Sequence, residues 1–580
     1  MKQDKKYISF RSVSLSGDSD GGYRNANKLF GFLVLLVFLF FTNQLIAQED
    51  WEHEGGEIED VEILIEKDKK LTLNEAARLY EKVKPAPLDT AKTAQKFHYK
   101  EFNYALSNLN PKIRVLTIKP PLLDKFYANY VKAGFGNYGT PYFEAYLNNK
   151  RNKKHSYGVQ FRHLSSARGP VDKKNSATSE NYLGATGKIF YKSVALKGAV
   201  NFQRNKQHFY GYKEGAEVSK DTLEHSFSSF NANVSMESRD TGSDLYYKFK
   251  PSFGYFSDNF QAKESEFGLN FKSNFTITEA LGANLKSDLY LGKLTDITSL
   301  KRNFFRIKPK FTFVKDNVNF DVGVNVVYEN DTIQGEDDLR FFLSGKASYD
   351  LTSEFLVYAG IDGDVQRNTL RSLSYENPYL RGQVPVFNTT KPIELYGGIE
   401  GSLLRAINIK SGISLADYKN MYFFVNNKQD TTKFDVIYNT GNTSVFNFFA
   451  EAGVDKKGFF RGVARFDYFS YGTNNIREAW LKPDYKFSLL SAFNIYEKIL
   501  LNADFYLVGG MKALNPTNDQ TVALDNIVDV NLKIDYRFSK QTSAFLSFKN
   551  IFSKKYQRYY NYPSKGIQVM AGITYAFDKL

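Results

Sequence analysis

Residues Val528 to Phe538 read VDVNLKIDYRF. Val528, Val530, Leu532, Ile534, Tyr536 and Phe538 fall on one side of an extended chain, and Asp529, Asn531, Lys533, Asp535 and Arg537 on the other. Successive side chains of a strand point to opposite faces, so this segment carries an apolar face and a charged one. No helical period fits it. The pattern returns at Val318–Tyr328, Ala283–Leu291, Phe341–Leu351 and Ile567–Phe577. In Val318–Tyr328, for example, Val318, Phe320, Val322, Val324, Val326 and Tyr328 oppose Asn319, Asp321, Gly323 and Asn325.

The connections sharpen the reading. From Phe126 onward short links (Ser193–Val194, Thr278–Leu281, Lys315–Asn317, Thr352–Glu354, Arg405–Asn408, Asp455–Gly458, Glu497–Lys498, Ser539–Gln541) interleave with long ones (Ser166–Asn181, His208–Glu224, Gln366–Pro392, Asp417–Thr443, Lys512–Asn526). Short periplasmic turns and longer external loops mark an outer-membrane barrel, and counting segments this way gives about 22 strands, an even number. The fold class expected is therefore all-β: a transmembrane antiparallel β-barrel over 125–580, preceded by a short, mostly irregular N-terminal segment that is periplasmic or luminal. A mean hydropathy of −0.42 is compatible with this, because lipid-facing and lumen-facing residues cancel in the average. The 39 Tyr and 51 Phe suit both strands and membrane–water interfaces.

Ahead of the barrel, Leu29–Phe41 reads LFGFLVLLVFLFF, with Arg24 and Lys28 before it and Ala47 shortly after. A basic start, a short apolar core and a small residue make an export signal, expected to span 1–47 with cleavage near Ala47. Residues 48–124 are then an acidic segment and linker. Within it, Val61, Glu62, Ile63, Leu64 and Ile65 form a β-prone run. That run either pairs with a periplasmic partner by strand addition or packs against the barrel's own interior. Asn74–Val83 reads as a short helix and Ile113–Ile118 as one more strand.

Near the C-terminus, Phe548–Phe577 reads FKNIFSKKYQRYYNYPSKGIQVMAGITYAF. Asn550, Ile551, Phe552, Lys555, Tyr556, Tyr562, Pro563, Gly566 and Phe577 resemble the final strands of TonB-dependent receptor barrels. The resemblance covers roughly Phe126–Leu580, and the strand number agrees with it. It implies an outer-membrane barrel that binds or passes a solute, with a periplasmic energy-coupling protein as partner. The N-terminal segment is shorter than that family's plug, so the relatives implied are plugless or plug-truncated. The alternative is a non-transporting scaffold, recruiting another envelope protein through the N-terminal segment.

Several classes of chemistry find no support. There is no Cys, so no disulfide framework, cysteine-zinc site or lipoprotein anchor. No nucleophile elbow, phosphate loop or HExxH motif occurs. No cofactor, metal site or enzyme activity is expected; His163 and His208, with Ser165, Ser166 and Asp172 close in sequence, are the only residues in a pattern that hints at hydrolysis. Asp288, Asp321, Lys346, Asp529, Lys533 and Asp535 should line the lumen. The cluster Tyr556, Tyr559, Tyr560 and Tyr562, with Lys554, Lys555 and Arg558, either contacts lipopolysaccharide or forms an interface girdle. The remaining partners expected are outer-membrane lipid and the barrel-assembly machinery. Nucleic acid is not expected, since the net charge of +14 on an exported chain reads as solvated Lys and Arg.

Overall fold

The computed structural model describes residues 96–101 and 127–578, apart from 150–151, 214, 240–242, 331–332, 334–337, 405 and 457. The export signal, Val61–Ile65, the helix at Asn74–Val83 and the strand at Ile113–Ile118 lie outside the described residues.

Alternation dictates the architecture. A strand that is apolar on one side and charged on the other must separate lipid or core from water, and its backbone groups need partners on both edges. Among the described residues 22 strands form one antiparallel sheet. Each pairs with the next barrel strand in sequence, and the first, Asn129–Gly136, pairs with the last, Gln568–Phe577, through Ala133 opposite Ile573. The sheet thus closes and leaves no edge. The quoted segment is the strand Ile527–Arg537, one residue offset from the sequence reading.

Register aligns the faces across strands. Phe311 lies opposite Val322, and Val324 opposite Leu343. These side chains point away from the interior and stay exposed, Leu343 at 68%. Thr312, Asp321, Lys346 and Gly360 make the matching row on the other face. On that face Tyr358 and Tyr396 lie across the glycines directly opposite them, Gly398 and Gly360. A Cβ on Gly360 would fall 2.5 Å from Tyr396 Cζ, so only glycine admits the ring.

Each short link read from sequence falls between two consecutive strands, and short segments at 149–154 and 239–244 likewise separate consecutive strands. The opposite end departs from the expectation in two ways. Connections 137–139, 259–262 and 296–298 are short there as well, so the alternation of lengths is incomplete. The supposed long loop Asp417–Thr443 is mostly strand: Ile407–Asn426 and Phe434–Lys456 continue as a projecting ladder, with Phe423 opposite Ile437. Met421, Tyr422, Phe423, Phe424 and Val425 run apolar on both faces and are all buried. One face of the ladder packs into each of two hydrophobic clusters, so alternation vanishes where the strand leaves the lipid.

Candidate functional site

The long connections converge over one end of the barrel. Phe209, Tyr210 and Leu223 come from one loop; Leu370, Leu373, Tyr379, Leu380, Val384 and Val386 from a second; Tyr559 and Tyr562 from a third. They pack with Phe227, Phe256, Tyr422, Phe424 and Phe434 of the strands into one apolar cluster. Burying such side chains contributes on the order of 1.5–3 kcal/mol each.

The second loop carries a helix, Leu370–Glu376. Thr369 caps it, its side chain accepting from the Ser372 backbone N–H while Ser372 Oγ accepts in return. The helix start is anchored across the opening, because Glu264 Oε1 accepts the Leu370 N–H at 3.3 Å and Oε2 the Arg371 N–H at 3.1 Å. Tyr375 Oη meets Ser229 Oγ at 2.9 Å, and Arg371 reaches Asn231. These partners sit on strands far from the helix's own around the ring, so the loop lies across the mouth.

Tyrosines lock the loops together. Tyr379 and Tyr562 stack with centroids 3.7 Å apart. Tyr559 donates to the Glu376 carbonyl and Tyr562 to the Thr432 carbonyl. Burial pushes the Tyr559 phenol up to about 12 and holds Tyr379 and Tyr562 well above the ordinary range, so all three remain neutral donors. This overturns the expectation for the C-terminal aromatics. Tyr559 and Tyr562 are neither a girdle nor a lipid-contact patch, because their rings fill the apolar cluster and exclude water.

Beneath this lid the face opposite the apolar exterior is ionised. Arg306 donates to Asp288 at 2.6 Å and to Asp364 at 3.1 Å, and Lys308 to Asp364 at 2.6 Å. Asp364 lies three strands away from Arg306, a reach that only the concave face of a closed sheet permits. Arg340 pairs with Glu329 at 2.6 Å, and Arg465 with Asp467 at 2.7 Å and Glu451 at 3.1 Å. Towards the short turns a cavity of about 2190 Å³ opens, with Glu394, Glu451, Arg465, Asp467 and Asp504 on its wall.

The six charged residues singled out from sequence all lie on the ionised face but do not gather into one site. Asp288 joins the Arg306 network, Asp321 accepts from Thr312 Oγ1 at 2.7 Å, and Lys346 stands 4.9 Å from the Tyr358 ring centre. Lys533 pairs with Asp535 at 2.6 Å, and Asp529 accepts from Tyr556 at 2.6 Å. Arg306, Asp364 and Glu264 were missed in sequence, because alternation shows which face they share but not which strands curl towards each other.

The residues with a hint of hydrolytic chemistry separate. His208 is buried, its Nδ1 donating to the Ala177 carbonyl at 2.6 Å. Asp172 accepts from Tyr212 at 2.7 Å, and Ser166 meets Thr140 at 3.0 Å. His163 is different: Nε2 lies 3.0 Å from Ser165 Oγ and Nδ1 lies 2.7 Å from Asn181 Oδ1. Among the described residues no group of three or more acidic, His or Cys side chains is placed to hold a metal.

No family model and no curated protein matches the chain. Solved structures do. The FrpB iron transporter of Neisseria meningitidis aligns over 78% of this chain and 82% of its own, with a TM-score of 0.62 at 10% identity. The siderophore receptor PirA of Acinetobacter baumannii aligns over 77% and 80%, with a TM-score of 0.59 at 11% identity. The ferripyoverdine receptor of the outer membrane of Pseudomonas aeruginosa aligns over 79% and 72%, with a TM-score of 0.58 at 12% identity. At this identity the likeness concerns fold alone: the chain's 22-stranded barrel is similar in fold to these receptor and transporter structures.

Proposed function

We propose that this chain is an outer-membrane receptor-like barrel that binds a solute at its loop-covered mouth and passes it through a polar interior. The observation that carries this reading is the apolar, tyrosine-locked lid seated over an ionised concave face. A lid of this kind holds the path shut until a solute offers the loops a better partner. Asp288, Asp321, Lys346, Asp529, Lys533 and Asp535 then line the hydrated wall. The chain's domains are an export signal over 1–47 cut near Ala47, an N-terminal segment over 48–124, and the barrel over 125–580. In this reading Val61–Ile65 pairs with the periplasmic energy-coupling protein. The solutes named for the solved neighbours, iron, siderophores and ferripyoverdine, supply the first panel to try.

The test is planar-bilayer conductance of the full chain beside a Leu373→Asp, Tyr379→Ala variant that unseals the lid. Small or flickering conductance in the parent and sustained conductance in the variant are expected. Silence in both, with the barrel folded, would count against passage. The competing reading, a scaffold that transports nothing, predicts that silence. It also predicts a partner that is lost when Glu57–Glu66 are deleted.

A further inference from the structure

The strand His155–Ser166 turns Tyr157, Val159 and Phe161 outward, with exposures of 59%, 45% and 37%. His163 and Ser165 share their parity, so both stand on the outer face of the barrel. Register continues that face sideways. His163 lies opposite Phe143 on one neighbour and opposite Asn181 on the other, and Asn181 lies opposite Arg204. Leu183 and Phe202, two residues nearer the short turns, are exposed apolar side chains. On this strand and the two that follow it the apolar run therefore gives way to His163, Ser165, Asn181 and Arg204, while Phe143 on the preceding strand is still apolar and exposed. His163 stands eight residues beyond His155, and a tilted strand needs about 9–11 residues to cross the hydrocarbon. The four polar side chains thus sit at the level where lipid acyl chains meet their headgroups.

The hydrogen bonds fix a direction. Asn181 Nδ2 donates to Ser179 Oγ at 3.3 Å, which leaves Oδ1 to accept from His163 Nδ1 at 2.7 Å. With the proton on Nδ1, the Nε2 lone pair faces Ser165 Oγ at 3.0 Å and accepts its hydrogen. Nucleophile, base and orienting group are each within hydrogen-bond reach of the next, and the geometry, not sequence order, defines such a triad. An interior polar ladder would have no access to lipid, whereas this one opens onto it, with exposed Arg204 opposite Asn181 as a cation for a lipid phosphate.

We infer that Ser165, His163 and Asn181 form a serine-hydrolase site on the outer wall of the barrel, acting on the acyl ester of an outer-leaflet lipid. Ser165 Oγ adds to the ester carbonyl carbon while His163 Nε2 takes its proton. The C–O bond to the alcohol breaks, and the departing oxygen receives that proton. Water, deprotonated by the same imidazole, then cleaves the acyl-serine and releases the fatty acid. Ester and water become acid and alcohol, and the serine is restored. Asn181 is a positioning residue that holds the tautomer. The inference rests on outer-membrane placement but is independent of solute passage.

The test uses the full chain in detergent–lipid micelles, with fatty-acid release measured from phosphatidylethanolamine in one arm and from purified lipid A in the other. A fluorophosphonate probe with intact-mass readout is run alongside. One probe adduct at Ser165 and release from one of the two lipids are expected. Ser165→Ala should abolish both, lowering release by about 10³-fold or to background. Asn181→Ala should lower the labelling rate, with partial rescue by Asn181→Asp. Ser166→Ala, whose hydroxyl turns to Thr140, should change neither. Heat-modifiable gel mobility confirms folding in each variant. No adduct at Ser165 and no release above the Ser165→Ala level, in folded parent protein, would overturn the assignment.

Discussion

Asn550 shows how much one side chain holds in place. Its φ is 48°, in the left-handed region, and it is buried. Its Nδ2 donates to the carbonyls of Lys554 and Lys565, both at 2.7 Å, while its Oδ1 accepts the Lys554 N–H at 3.2 Å. The two ends of the last loop are therefore tied to one residue. Asn550→Ala should cost about 1–3 kcal/mol, since the Lys565 carbonyl loses this donor and the Lys554 carbonyl keeps only Ser564 Oγ. Guanidinium unfolding in detergent would read this, and a change below ~0.5 kcal/mol would mean that the bonds are replaced by water. Arg306 plays a comparable part on the concave face. Arg306→Ala leaves Asp288 and Asp364 without their shared cation, so cation selectivity of the conducting form should rise. Reversal potentials under a salt gradient measure it, and an unchanged potential would place the path elsewhere.

The projecting hairpin and the lid are elements whose behaviour exceeds that of their residues. The lid's tyrosines have folded-state pKa values above their ordinary value near 10. A raised value means that the neutral, closed state is fully favoured below about pH 10 and loses that advantage as pH climbs through about 12. The mouth should stay shut from mild acid through neutrality and loosen only in strong alkali. Tyrosinate absorbance near 295 nm should rise together with conductance, and opening on acidification instead would contradict the assignment of the lock to these phenols. In the sheet, the glycine–tyrosine pairs permit a similar test. Gly360→Val would drive a side chain into Tyr396 and should cost about 1–3 kcal/mol by overpacking.

Across the whole molecule the lipid-facing band sets the energetics. Leu343 lies mid-strand on the outer face, while Lys346 lies three residues along on the inner one. Leu343→Arg should destabilise the barrel by about 2–4 kcal/mol, the cost of a cation near the bilayer midplane. Lys346→Leu should cost far less, because a hydrated wall tolerates either. Folding titrations into lipid vesicles compare the two directly. Equal penalties would mean that the outer face does not meet lipid.

Alternation along each strand, as in Val528–Phe538, was enough to specify a barrel and which side chains share a face, because a period of two is local and survives in any register, and the connections between the strands supplied their number. Loop packing was not legible in the same way. Tyr559, Tyr562 and Leu373 carry no periodicity, and only the folded chain shows that they meet over the mouth instead of facing lipid. Met421–Val425 lost its alternation because tertiary partners cover both of its faces, so it read as loop. The contact of His163 with Asn181 depended on the register between two strands joined by an eleven-residue connection, 167–177. A slip of one residue there would turn Asn181 to the interior, and nothing in either strand alone determines which register the closed sheet selects.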